Sequence, residues 1–355
     1  MVSQCFKPGW KALLTAVLTA AGLISAGHAL AQTAKPLPER LRDTGLFAPG
    51  STTEIAPEVL AFSPQYPLWS DGATKRRWIA LPPGTFIDAA RADAWEFPRG
   101  TRLWKEFSAA RRVETRFIER LQDGSWRFAT YVWNEAGTDA TLAAADGAVL
   151  RLSGDRRYAI PSRTDCLACH EGAAVPVLGF SALQLSADRD PLAPHAEASS
   201  GPDLRALVAR GWLRNLPSAL FERPPRIAAA TPVERAALGY LHGNCGHCHG
   251  KPDETGASVP VGVLLAQSVV EPNSSADVLR SLGSASRFRT PGVKHAPQAV
   301  VPGSAQTSVL PLRMRSRDPR VQMPPLGTDL ADSEALALIE RWIDHSLQSP
   351  KERKQ

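Results

Sequence analysis

The chain has 355 residues, 43% hydrophobic and 21% charged, with 41 Lys plus Arg against 35 Asp plus Glu and a formal net charge of +6. This globular composition excludes a disordered or fibrous chain, and the length favours roughly two domains. The charges alternate in sign and form no basic stripe, so no nucleic-acid partner is expected. Thirty prolines and 26 glycines argue for many turns and against a long-helix bundle.

Residues 1–31 read as a secretory signal peptide. Lys7 and Lys11 precede an apolar run from Ala12 to Ile24, and Ala29-Leu30-Ala31 is a small-x-small cleavage site ahead of Gln32. The run is short of the roughly 20 residues a membrane span needs. The expected location is therefore the periplasm, with no transmembrane segment after cleavage. Cleavage would take the formal charge to +4 and remove Cys5, leaving four cysteines.

Residues 32–45 read as a flexible lead. From about 50 to 160, short aromatic and β-branched runs alternate with Pro, Gly and Asp turns. Strands are predicted at Arg76–Leu81, Thr101–Phe107, Val113–Leu121 and Trp126–Trp133, with a hairpin turn at Gln122-Asp123-Gly124-Ser125. Six tryptophans fall here: Trp69, Trp78, Trp95, Trp104, Trp126 and Trp133. They suit core packing better than a ligand cleft. The charged residues Asp71, Lys75, Arg76, Arg77, Glu114 and Arg116 have no spacing that marks a catalytic pair.

The four remaining cysteines fall in two copies of one pattern, Cys166-Leu167-Ala168-Cys169-His170 and Cys245-Gly246-His247-Cys248-His249. C-x-x-C-H is the attachment signature of c-type haem. Both thiols must reach one porphyrin edge while the adjacent imidazole turns beneath its face, which explains the short spacing. A thioredoxin-like C-x-x-C needs no histidine after it. Disulfides inside C-x-x-C loops would be strained. A zinc site would bring two C-x-x-C knuckles together, and here they stand 79 positions apart, against roughly 12–20 in common zinc modules. Two covalently bound haem c groups are the expected cofactors, on Cys166 and Cys169 and on Cys245 and Cys248, with His170 and His249 as proximal iron ligands.

A helix is expected from Thr231-Pro232, cap then proline, with Ala236, Ala237, Tyr240 and Leu241 on its apolar face. Met323 sits in the stiff segment Gln322-Met323-Pro324-Pro325-Leu326-Gly327, which suits a sulfur held against a haem. A last helix follows, capped by Asp332 or Ser333, with Leu336, Ile339, Trp342, Ile343 and Leu347 at helical spacing. Met314 reads as packing, and His345 as exposed. The distal ligand of the first haem stays open among His195, His242, His295, Met314 or an open position. A basic tail occupies 350–355.

Helix, C-x-x-C-H, Met-Pro loop and final aromatic helix, in that order over residues 231–349, resemble class I cytochrome c, and the resemblance implies His249/Met323 ligation. A second resemblance spans nearly the whole chain beyond the leader. Leu46-Phe47, Pro67-Leu68-Trp69-Ser70-Asp71-Gly72-Ala73-Thr74-Lys75-Arg76-Arg77-Trp78, Glu114-Thr115-Arg116, Tyr131-Val132-Trp133-Asn134-Glu135 and Ile160-Pro161-Ser162-Arg163 resemble exported di-haem c-type cytochromes with a β-rich amino-terminal domain. The expected fold class is thus α+β. A β-rich domain (32–160) precedes a first haem segment (161–230) and a cytochrome c-like domain with the second haem (231–349). The expected function is electron transfer between a periplasmic redox protein or dehydrogenase and the respiratory chain. The alternatives are a peroxidase- or oxidase-like enzyme at the first haem and a binding module in which the β region recognises a sugar, quinone or protein.

Overall fold

A computed structural model describes residues 36–152, 157–197, 201–250, 262–288 and 297–345. The leader, His295, Leu347 and the basic tail lie outside the described residues.

The fold is α+β: an antiparallel sheet within residues 60–160, then a mainly helical region. Strands β1 (Leu60–Ala61), β2 (Thr74–Ala80), β3 (Ile87–Asp88), β4 (Arg102–Ala109), β5 (Arg111–Arg120), β6 (Trp126–Trp133) and β7 (Ala140–Leu142) come first. All but β3 join one antiparallel sheet in the order β1-β2-β4-β5-β6-β7. The expected hairpin joins β5 to β6. Gly124 takes φ +91°, and the Ser125 amide donates to Asp123 Oδ1 at 2.8 Å, closing an Asx turn. Strands β8 (Ala148–Arg151) and β9 (Arg157–Ile160) form a separate hairpin, and β3 pairs in parallel with β10 (Leu213–Arg214).

The sheet has two unlike faces, because successive side chains alternate. One face buries Trp78, Trp104, Phe117, Tyr131 and Trp133 against Leu41, Leu46 and Phe47. The expectation of a flexible lead therefore fails over residues 36–45. Leu41 is 1% exposed in a 3-10 turn (Leu41–Thr44), and Arg40 and Arg42 pair with Asp139. Apolar residues spaced for that turn give the segment a core to join, which its polar composition hides.

The other face looks toward the second half of the chain. Ile79 and Leu103 pack with Trp95, Phe97, Phe180, Leu204, Leu207 and Leu213. Most of the tryptophans are thus core, as expected; Trp69 and Trp126 are half-buried.

The helices are α1 (Arg163–His170), α2 (Leu204–Ala209), α3 (Ser218–Glu222), α4 (Pro232–Asn244), α5 (Ser274–Leu282), α6 (Val309–Arg315) and α7 (Ser333–His345). Thr231 caps α4 by accepting from the Glu234 amide at 3.1 Å, with Pro232 in the first turn. Asp332 caps α7: its Oδ1 accepts from the Ala335 amide at 3.0 Å. Ala335, Leu338, Ile339, Trp342 and Ile343 of α7 pack on Ala236, Ala237 and Leu241 of α4, and Tyr66 joins the same core. Gly239 and Gly243 make this docking possible. A Cβ on Gly239 would meet Tyr66 Cε1 at 2.0 Å, and one on Gly243 the Tyr66 carbonyl oxygen at 2.4 Å. Among the described residues no helix is long and apolar enough to cross a membrane.

Candidate functional site

The first motif is carried by α1. Ser162 and Asp165 form a capping box: the Asp165 amide donates to Ser162 Oγ at 3.1 Å, and the Ser162 amide donates to Asp165 Oδ2 at 2.9 Å. The box starts a helix just long enough to put Cys166, Cys169 and His170 in successive turns. The second motif begins where α4 ends. Cys245 is its C-cap, and the Cys248 and His249 amides both donate to the Cys245 carbonyl, at 3.1 and 2.9 Å.

Both motif histidines are oriented in the same way. A carbonyl oxygen only accepts, so the proton must sit on the ring nitrogen that faces it. His170 Nδ1 donates to the Pro176 carbonyl at 2.6 Å, and His249 Nδ1 donates to the Val263 carbonyl at 3.0 Å. Each neutral ring then carries its lone pair on Nε2, the tautomer a metal-ligating histidine needs. Burial keeps both rings neutral, pushing His170 down to about 4 and lowering His249.

The four described cysteines form no disulfide. Burial raises all four, Cys169 to about 11 and Cys245 to about 12.

The 79-residue separation in sequence does not survive folding. Cys248 Sγ lies 3.9 Å from the Ala168 carbonyl, and a Cβ on Gly172 would meet the His247 carbonyl oxygen at 2.8 Å. The two motifs are in contact, which removes sequence distance as an argument against zinc. Among the described residues no group of three or more His, Cys, Asp or Glu is placed to hold a metal ion, whereas a structural zinc takes four such ligands.

A cavity of about 500 Å3 opens beside the second motif, within the roughly 300–1,000 Å3 usual for small-molecule and cofactor sites. Cys245, Cys248, His249, Met323 and Met314 all line it, with apolar walls from Leu265, Leu282 and Val309. Met323 is held in place by its loop: its amide donates to the Arg313 carbonyl at 3.0 Å, and Arg313 Nε donates to the Val321 carbonyl at 2.7 Å. Met314, expected as packing, is 7% exposed and belongs to the helical core, yet it shares this cavity. The residue types and size of the site fit a haem c: Cys245 and Cys248, the oriented imidazole of His249, the Met323 thioether and an apolar lining, with Cys169 of the first motif and His247 also on the wall.

No family model, curated protein or solved structure matches the chain.

A second cavity, about 140 Å3, lies between α1 and the inward sheet face. Cys166, Cys169 and His170 line one side, and Arg77, Lys105, Arg116 and Phe128 the other. Phe128 lies 4.9 Å from the His170 ring, centroid to centroid. No second histidine and no methionine lines this cavity among the described residues.

The described candidates for a distal ligand there, His195, His242 and Met314, are engaged elsewhere. His195 Nε2 lies 2.9 Å from both Asp332 carboxylate oxygens and its Nδ1 lies 3.3 Å from Glu334, with the ring 4.8 Å from Trp69. The Asp332 hydrogen bond raises the His195 pKa. His242 Nδ1 accepts from the Gln267 amide at 3.0 Å, so its neutral ring carries the proton on Nε2. Met314 lines the other cavity, and His345 is exposed at the end of α7.

Lys75, Arg77 and Arg116, whose spacing marks no catalytic pair, and Lys105, which no motif marks, come together in the fold. Lys75, Arg77, Lys105 and Arg116 share the inward sheet face. Arg77 stands directly across from Lys105, and Lys105 directly across from Arg116. The alternation Lys75-x-Arg77-x-Ile79 marks that face in the sequence, but the cross-strand register appears only in the fold. Burial, then Arg77, brings Lys75 down to about 8, while burial followed by Arg77, Lys75 and Arg116 holds Lys105 well below an ordinary lysine.

Proposed function

We propose that the chain is an exported di-haem c-type cytochrome that passes electrons between a periplasmic redox protein or dehydrogenase and the respiratory chain. One haem would be held by Cys166 and Cys169 with His170 beneath it. The other would be held by Cys245 and Cys248 between His249 and Met323, in the manner of class I cytochrome c. The observation that carries the reading is the cavity of about 500 Å3 whose lining includes Cys245, Cys248, His249, with its oriented imidazole, and Met323.

Bound haem supplies reversible one-electron chemistry at iron, its potential set by axial ligands and surroundings. The chain's own part is to fix both imidazole tautomers through Pro176 and Val263, exclude water with apolar walls, and bring the Met323 thioether to the wall of the cavity that His249 also lines. A thioether ligand raises the potential relative to a second imidazole. Contact between the motifs supports a short path from one cofactor to the other.

The test is expression of the full chain with a haem-maturation system. Two covalent haems by mass and a low-spin signal from at least one support the reading; a colourless protein refutes it. A second reading, a haem enzyme at the first motif, is favoured by one observation: the first cavity's described lining offers no histidine or methionine besides His170. Peroxide turnover with a reduced donor favours the enzyme; haems that are redox-active but inert to peroxide favour the carrier.

A further inference from the structure

Three cations stand side by side across adjacent strands, Arg77, Lys105 and Arg116, with Lys75 on the same face. Like charges directly opposite one another destabilise a sheet, and burying them adds a desolvation cost. The carboxylates facing them do not balance the row. Glu114 takes Arg116 through its Nε and Nη2 at 3.1 and 2.7 Å, and also accepts from the Tyr158 hydroxyl at 2.9 Å. Glu197 approaches Arg77 Nη1 only at 3.5 Å. Asp165, on the cavity wall, is committed to its capping box.

Arg77 is 5% exposed, and its Nη2 is buried without any hydrogen-bond partner. Such a group calls for a partner that the protein's own side chains do not provide. Lys105 has its ammonium 4.9 Å from the Phe107 ring centroid, a cation–π contact that leaves its N–H donors available. Arg77, Lys105 and Arg116 all line the cavity that holds Cys166, Cys169 and His170.

We infer that the row Arg77–Lys105–Arg116 is a carboxylate seat, and that its occupants are the two propionates of the haem held on Cys166 and Cys169. The inference rests on the two-haem reading above. A haem c brings two carboxylates into a cavity whose thiol edge is already fixed by α1. Charge-assisted hydrogen bonds from guanidinium and ammonium groups are the strong kind, and Arg suits carboxylate geometry best. The seat also explains why the β-sheet carries charge on a face turned toward the helical region.

The test uses the haem-loaded full chain and its Arg77→Gln, Lys105→Met and Lys105→Arg variants. Haem staining after denaturation reports attachment, spectroelectrochemical titration reports the two midpoints, and resonance Raman reports the propionate bending band. Both neutralising variants should keep two haems, lower the midpoint that Met323→Ala leaves unmoved, and shift the propionate band. Lys105→Arg should restore both readouts toward wild type. Two attached haems with neither readout moved would overturn the seat while leaving the cytochrome reading intact. Should a variant fail to fold, the wild-type propionate band decides: a position typical of unbonded propionates overturns the proposal. Inorganic phosphate that perturbs the first haem in wild type but not in Arg77→Gln would assign the seat to a free anion and overturn it as well. A chain with no haem on Cys166 and Cys169 removes the underlying reading and this inference together.

Discussion

Asp332 holds together the edge of the larger cavity, and its removal makes the most quantitative prediction. Its buried carboxylate caps α7 through the Ala335 amide, meets His195 Nε2 at 2.9 Å with both oxygens, and lies against the buried Tyr240 hydroxyl. Losing an N-cap costs about 1 kcal/mol. Losing a charge-assisted hydrogen bond costs about 1.5–3 kcal/mol, and stranding a buried hydroxyl about 1–3 kcal/mol. One carboxylate serves all three, so the losses overlap, and Asp332→Ala should cost about 3–4 kcal/mol. That is a large share of the roughly 5–15 kcal/mol by which domains are stable. Asp332→Asn keeps a good cap and isolates the pair with His195. The folded His195 pKa is raised, so the stabilisation by the pair is fully present below about 6.5, the unfolded value, and is lost as pH rises through the folded value. The destabilisation by Asp332→Asn should therefore be larger at pH 6 than at pH 9. Urea unfolding followed by far-ultraviolet circular dichroism measures both. A loss below about 1 kcal/mol for Asp332→Ala, or an Asp332→Asn effect independent of pH, would refute the reasoning.

Under the two-haem proposal, Met323→Ala should leave the haem on Cys245 and Cys248 attached but lower its midpoint, whereas Met314→Ala should leave that midpoint near wild type; redox titration of the two variants tests the proposed Met323 ligation. Cys166→Ala and Cys245→Ala should each remove one covalent haem, read as half the haem stain on a denaturing gel. Gly243→Ala should destabilise by about 1–3 kcal/mol in urea, because the added Cβ meets the backbone carbonyl of Tyr66 at 2.4 Å and no side chain can swing aside.

Much of this was legible in the sequence where local chemistry decides the outcome. The four long strands and the Asp123-Gly124 turn follow from period-2 patterning and turn residues. Thr231-Pro232 fixed the start of α4, and Asp332 that of α7, because capping involves only a few adjacent residues. The cavity partners of Met323 were anticipated from motif order. What escaped was set by register and by packing between distant segments. The contact of the two motifs depends on Gly172 and Cys248, which have no sequence signal for each other. The cationic row is three residues on three strands, each unremarkable alone. His195 looked like an available imidazole until the fold gave it two carboxylates.

The placement of the sheet bears on what the β region is for. A docking module appended to a cytochrome would turn a sheet face or loop cluster outward and leave the cofactor pockets to the helices. Here one face of the sheet is filled by Trp78, Trp104 and Trp133, and the other supplies Phe128, Lys105 and Arg116 to the wall opposite Cys166 and His170. Tyr66, from the loop between β1 and β2, enters the helical core, and Asn244 at the end of α4 accepts from the Trp69 amide at 2.7 Å. The two halves therefore share both a core and a pocket. With Arg77 buried and Lys105 and Arg116 half-buried opposite Cys166 and His170, this face of the sheet belongs to the wall of the first motif's pocket rather than to an exposed surface.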